Sequence, residues 1–207
     1  MTAIDELAAV IRHRLEHHDG TLFVGLDGRS GVGKSTLAAA VMVVLGDDEP
    51  PIEVVVLDGD GFYAGGTAAR WDRRTAAEKA DQVIDRRRQR AVLQGLRRWG
   101  VATWHPFDWE SEDWDRDPAP CTDTPITVES ARVVVLEGAH SCHPELHDLL
   151  DLRVFADAPT DVRRARLLAR EGEDYRADWE ARWSEAEDHY FGTVMPPDRF
   201  DLVVTTA

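Results

Sequence analysis

The segment Gly28-Arg29-Ser30-Gly31-Val32-Gly33-Lys34-Ser35 fits the pattern G-x-x-x-x-G-K-[ST], a loop that cradles the phosphates of a nucleoside triphosphate. Each residue type has a physical reason. Gly28, Gly31 and Gly33 can take backbone angles closed to other residues and let the main chain approach phosphate oxygens. Backbone N–H groups through the turn, those of Ser30 and Val32 included, make a nest for those oxygens. Lys34 supplies a point charge for the β- and γ-phosphates, and the Ser35 hydroxyl is a ligand for Mg²⁺. Thr36 is placed to bond the α-phosphate. The chain has only two lysines, Lys34 and Lys79, and one of them falls in this loop.

Two acidic positions could complete the chemistry. Glu137 follows the apolar run Val133-Val134-Val135-Leu136, and a carboxylate there can help hold Mg²⁺. Asp58 and Asp60 follow a second apolar run ending at Leu57. Phosphoryl transfer to an alcohol needs a group that takes the hydroxyl proton, and an Asp can do this. Asp58-Gly59-Asp60-Gly61 is equally a simple turn sequence by composition.

These residues need elements that bring them together. Apolar spacing over residues 3–18 predicts an N-terminal amphipathic helix ended by Gly20. Short apolar runs at 21–26, 53–57, 132–136, 152–156 and 200–205 predict buried strands. Between them, 35–45 and 160–171 predict helices, residues 73–99 one long polar helix, 144–150 a short helix and 175–191 another helix. Residues 101–104 and 126–129 predict short strands, the second an edge strand, and residues 105–125 a long loop. Strands alternating with helices imply an α/β fold with a mostly parallel central sheet covered on both faces. Ligands of such sheets bind outside the carboxyl ends of the strands, which is where the P-loop, Asp58 and Glu137 fall.

The 207 residues suit one domain, 1–207. A net charge of −15 repels polyanions, so no nucleic acid partner is expected. No apolar run reaches the roughly 18–20 residues a membrane helix needs. The N-terminus has no apolar signal-peptide core, so a cytoplasmic protein is expected. Cys121 and Cys142 are expected as free thiols. His140, Cys142, His143 and His147 resemble metal ligands by type, but their spacing matches no zinc pattern. A substrate contact is the better expectation for His140. The chain contains no asparagine, which removes the guanine-reading motif of GTPases. A homo-oligomer is compatible with the sequence.

Leu57-Asp-Gly-Asp-Gly-Phe-Tyr63 resembles the D-x-F-Y segment of the uridine kinase family, within the uridine kinase, phosphoribulokinase and pantothenate kinase group of P-loop kinases. Val133-Val-Val-Leu-Glu-Gly138 is similar to that family's apolar strand ending in Glu-Gly. Leu152-Arg-Val-Phe-Ala-Asp157 with Ala158-Pro-Thr-Asp-Val-Arg163 resembles its fourth strand and Arg-rich helix. His189-Tyr-Phe, Met195-Pro-Pro and Phe200-Asp-Leu-Val-Val204 are similar to its C-terminal helix and last strand.

The resemblance implies a P-loop NTPase three-layer sandwich with a small helical lid near 163–178 and an acceptor-site segment near 60–114. It implies ATP and Mg²⁺ as cofactors and a small-molecule hydroxyl acceptor, a nucleoside or similar metabolite. By the same resemblance Asp60 is the catalytic base, Tyr63 lies against the acceptor, Glu137 helps hold Mg²⁺, and Arg166 and Arg170 close on the transferring phosphate. Uridine kinases hold the nucleoside with an aromatic–Asp pair, matched here by Trp71-Asp72, and with a Tyr-Asp-Phe segment followed by His. Phe107-Asp108-Trp109 takes the second place, with His105 before it rather than after. Trp104, Trp109 and Trp114 could stack on a base or anchor a loop. Two other readings fit the same loop: a regulatory P-loop ATPase, or a kinase for an antibiotic or other secondary metabolite.

Overall fold

The computed structural model describes residues 2–112, 116, 118–172 and 177–206. Its elements are α1 (Ala3–Leu15), β1 (Leu22–Asp27), α2 (Lys34–Gly46), β2 (Val54–Asp58), α3 (Ala68–Arg73), α4 (Ala76–Gln82), α5 (Arg86–Trp99), β3 (Val101–Trp104), β4 (Ile126–Glu129), β5 (Val133–Glu137), β6 (Leu152–Asp157), α6 (Thr160–Glu171), α7 (Ala177–His189) and β7 (Leu202–Thr205). Short 3₁₀ turns cover Gly59–Phe62, Pro144–Leu149 and Pro197–Arg199, and a π turn, Tyr190–Val194, continues α7. Trp114 and residues 173–176 of the expected lid lie outside the described residues.

The central sheet has the order β2-β5-β1-β6-β7, and every pairing is parallel. β1 and β5 are buried along their whole length, which explains why both read as continuous apolar runs. Alternate side chains feed two cores. Leu22, Val24, Leu26, Val133 and Val135 pack with Leu7 and Ile11 of α1 and Leu37, Val41 and Leu45 of α2. Phe23, Val134 and Leu136 pack on the other face with Phe62, Leu93 of α5 and Tyr190. The result is three layers. Burial of each such aliphatic side chain stabilises by about 1.5–3 kcal/mol. Gly25 has no room for more: a Cβ there would stand 2.7 Å from the Cys142 sulfur.

The register places the chemistry. Leu26 pairs with Glu137, and Asp58 pairs with Glu137 on the other side. The carboxyl ends of β1, β2 and β5 therefore finish side by side. The P-loop leaves β1 there, and α2 begins directly from Gly33, whose φ of +92° a side-chain-bearing residue rarely adopts.

Two expectations are corrected. Residues 73–99 are not one helix. Thr75 and Glu78 form a capping box that starts α4, and Asp85 caps α5 by accepting from the Arg88 N–H. Arg74, between α3 and α4, is extended. These caps satisfy orphan N–H groups that a continuous helix would have used. Residues 126–129 do not edge the central sheet. They pair antiparallel with β3 as a separate two-stranded sheet, Val101 opposite Glu129. Cys121 and Cys142 are both free. Among the described residues no helix is long and apolar enough to cross a membrane.

Candidate active site

A cleft of about 670 Å³ opens at the carboxyl edge of the sheet. Ser30, Gly31, Gly33, Lys34, Ser35 and Thr36 line it from the P-loop and the start of α2. Asp60 lines it from the 3₁₀ turn after β2, Glu137 from the end of β5, and Arg163, Arg166 and Arg170 from α6. The sequence places these groups up to 140 residues apart, and the fold brings them to one cavity.

The loop is tightly packed against its neighbours. A Cβ on Gly31 would lie 2.4 Å from the Arg163 carbonyl oxygen, and one on Gly28 2.4 Å from that of Ala156. The Lys34 ammonium donates to the Gly28 carbonyl at 2.8 Å and to that of Arg29 at 3.4 Å. Arg166 donates to the Val32 carbonyl at 3.1 Å and Arg163 to that of Ser30 at 3.4 Å, so α6 is held over the loop. Among the described residues Arg170 reaches only its neighbour Glu171, at 2.9 Å.

Glu137 and Ser35 line the cleft close enough for the Ser35 hydroxyl to act on the Glu137 carboxyl, which puts hard oxygen donors together in a set suited to Mg²⁺. Burial raises the Glu137 carboxyl to about 7; the Ser35 hydroxyl and Lys34 pull it down, while Asp60 pushes it up. Asp60 is fixed by its backbone. Its N–H donates to Asp58 at 2.9 Å, and its carboxylate accepts from the Ala139 N–H at 3.1 Å. Gly138 allows this approach, since a Cβ there would meet the Asp60 carboxylate at 3.0 Å.

Behind the cleft lies a group that sequence reasoning missed. Asp27, the last residue of β1, is fully buried. It accepts from the N–H groups of Gly28, His140 and Cys142 at 2.8, 3.1 and 3.0 Å and from the Tyr190 hydroxyl at 2.9 Å. Burial raises its carboxyl to about 6 against those bonds. It ties the P-loop, the loop after β5 and the end of α7 into one unit.

The residues expected to hold the acceptor are placed differently from the phosphate side. Tyr63 is buried and forms the hub of an aromatic cluster with Trp71, Phe107, Trp109, Trp179 and Trp183, all with ring centroids within 6.5 Å of its own. Trp71 is buried behind Tyr63 and does not line the cleft. Asp72 points outward to Arg182, at 2.7 Å. His105 is exposed and bonds the Thr122 carbonyl at 2.8 Å, and Asp108 caps the Glu110 N–H at 3.1 Å. His140 is buried and stacks on Tyr190 at 3.9 Å. None of Asp72, His105, Asp108 and His140 lines the cleft. Trp104 stacks on Phe62 at 5.9 Å as an anchor.

The cleft wall is made instead by Trp109 together with Trp179, Glu180, Trp183 and Ser184 of α7. Sequence reasoning missed the α7 residues. Their spacing, W-x-x-x-W in an otherwise polar helix, was the available signal. The four residues weighed as metal ligands serve other roles. His143 caps the 3₁₀ turn by accepting from the Glu145 N–H, His147 meets the Cys142 carbonyl at 3.1 Å, and Cys142 is in the core.

Comparison with known proteins agrees with the architecture. The AAA domain family model matches residues 24–190. Uridine-cytidine kinase A of Dictyostelium discoideum is 34% identical over 79 residues, which are 38% of this chain and 15% of that protein. The uridine kinase of Lactobacillus helveticus is 23% identical over 177 residues, covering 84% of this chain and 77% of that one. The solved structure of a possible uridine kinase from Bacillus stearothermophilus superposes with a TM-score of 0.71 at 24% identity, over 98% of this chain and 97% of that one. The chain is thus similar to uridine kinases in sequence and fold, and it belongs to the AAA domain family.

Proposed function

We propose that the protein is an ATP-dependent kinase that transfers the γ-phosphate to a hydroxyl of a small molecule. The observation that carries this reading is one cleft lined by a P-loop, an Asp in the turn after β2, a Glu at the end of β5 and three arginines of α6. A hydrolase has use for the loop and the Glu, but it has no need of a second, aromatic-walled half to the same cavity.

The roles follow from position. The N–H groups of the P-loop and the Lys34 ammonium bind the β- and γ-phosphates. Ser35 and Glu137 hold Mg²⁺, which when bound neutralises phosphate charge during transfer. Asp60 orients the acceptor hydroxyl and takes its proton. The acceptor oxygen forms a bond to the γ-phosphorus as the bond from that phosphorus to the β–γ bridging oxygen breaks, and ADP leaves. Arg166 and Arg170 meet the charge on the transferring group. Lys34 and Arg166 hold loop carbonyls here, and binding phosphate exchanges those carbonyls for a stronger anionic partner.

A nucleoside is the acceptor named by the similar kinases, and Trp109, Trp179 and Trp183 offer it faces for stacking. The test is ADP release by the purified chain with ATP and Mg²⁺ across a panel of alcohols that includes uridine and cytidine. Release that rises with one acceptor supports the reading. Release indifferent to every acceptor overturns it.

A further inference from the structure

The charge on the cleft wall is unevenly distributed. Among the described residues that line it, the basic groups are Lys34, Arg163, Arg166 and Arg170, all on the P-loop side or on α6. The aromatic side is Trp109 with one face of α7, on which Trp179, Glu180, Trp183 and Ser184 recur at helical spacing. No basic group lines that side among the described residues.

Glu180 is half-buried there and makes no ion pair or hydrogen bond among the described residues. The nearby Arg182 does not line the cleft. It bonds Asp72 at 2.7 Å and Asp178 at 2.9 Å, and its guanidinium lies 5.8 Å from the Trp179 ring. A carboxylate partly removed from water beside indole rings is costly unless a cation joins it. Indole faces themselves attract cations, most strongly where water is excluded. A chain of net charge −15 also concentrates cations at its clefts.

We propose that the acceptor is a cationic alcohol, an amine-bearing molecule whose ammonium group sits against Trp109 and Trp183 beside Glu180 while its hydroxyl reaches Asp60. The proposal rests on the kinase reading for the hydroxyl and on the wall alone for the charge. It disfavours phosphorylated or carboxylate-bearing acceptors, which would meet Asp60, Glu137 and Glu180.

The test is isothermal titration of the full chain, loaded with Mg²⁺ and a non-hydrolysable ATP analogue. The probes are choline, 3-dimethylaminopropan-1-ol and kanamycin as cations, 3,3-dimethylbutan-1-ol as the uncharged isostere of choline, and uridine. At least one amine is expected to bind, with choline about tenfold or more tighter than its isostere, since tenfold corresponds to about 1.4 kcal/mol. Glu180→Gln is expected to weaken amine binding about tenfold, with the thermal midpoint and nucleotide affinity unchanged. Failure of all three amines to bind, equal affinity for choline and its isostere, or amine binding unaffected by Glu180→Gln overturns the proposal. Phosphorylation of uridine without amine binding overturns the cationic acceptor and keeps the kinase. Amine binding with no phosphoryl transfer to any alcohol keeps the cation site and overturns the kinase.

Discussion

One oxygen of the Glu187 carboxylate accepts from both the backbone N–H and the hydroxyl of Ser30, each at 2.7 Å. Glu187 lies on the same helix that supplies Trp179 and Trp183 to the aromatic wall, one turn beyond Trp183. One helix therefore grips the P-loop at one end and forms the aromatic wall of the cleft at the other. Arg29 adds to the grip, pairing with Asp188 at 2.6 Å and reaching Glu187 at 3.9 Å.

Glu187→Ala is expected to destabilise the chain by about 1–3 kcal/mol, because it leaves the half-buried N–H and hydroxyl of Ser30 without a charged acceptor. ATP affinity falls with it, since the loop loses its anchor. Urea unfolding and nucleotide titration measure the two effects. An unchanged urea midpoint would show that the contact contributes nothing to stability.

Arg170→Ala separates catalysis from folding. Among the described residues Arg170 bonds only the adjacent Glu171, so its removal should leave the thermal midpoint within about 1 °C. The turnover number should fall about 100-fold or more, the scale of losing one charge-stabilising donor. Arg166→Ala should lose both turnover and stability, because Arg166 also bonds the Val32 carbonyl and Thr206. Equal turnover in wild type and Arg170→Ala would remove this residue from the reaction.

Trp183→Ala should raise the acceptor KM about tenfold or more and leave the KM for ATP nearly unchanged. The indole lines the cleft and packs 6.4 Å from Tyr63. Steady-state kinetics with each substrate varied in turn give the split. A rise confined to the KM for ATP would contradict the placement of the acceptor.

Buried titrating groups give the fold a pH signature. Burial, then the charges of His143 and Arg86, lower the His140 ring from 6.5 to about 3. Below 6.5 the unfolded chain takes a proton that the folded chain refuses, so this contribution to stability is full above 6.5 and is lost as pH falls. Asp27 works in the other direction. Burial raises it from 3.8 to about 6, so its contribution is full below 3.8 and is lost as pH rises to 6. His140→Phe keeps the stack on Tyr190 and removes one titration. Between pH 6.5 and 4 each unit of acidification should favour the variant over wild type by up to about 1.4 kcal/mol. Urea unfolding at pH 7, 6 and 5 tests this. A stability difference constant with pH would contradict it.

The phosphate half of the site was legible because it is local. Gly28 to Ser35 is one continuous motif, and Asp58, Asp60 and Glu137 are marked by the apolar strands that precede them. The parallel sheet followed from the same strands. The capping residues Thr75 and Asp85 were also visible, but the polar run around them hid the breaks they impose. The aromatic half of the cleft was not legible, since it is built by packing between distant segments. Trp71 and Tyr63 turned inward to form a core, and Trp179 and Trp183, more than 100 residues later, turned toward the cleft. Asp27 escaped notice because its role comes from four donors on three separate segments.

The central claim is that Asp60 takes a proton from an acceptor hydroxyl beside a P-loop that binds ATP. The most direct measurement is ADP release by wild type and Asp60→Asn, each with and without the best acceptor, alongside nucleotide affinity. Asn at 60 retains an oxygen for the Ala139 N–H but cannot take the proton. Acceptor-dependent release should fall at least about 100-fold while nucleotide affinity stays within about twofold. Acceptor-dependent release at the wild-type rate from Asp60→Asn would contradict the account.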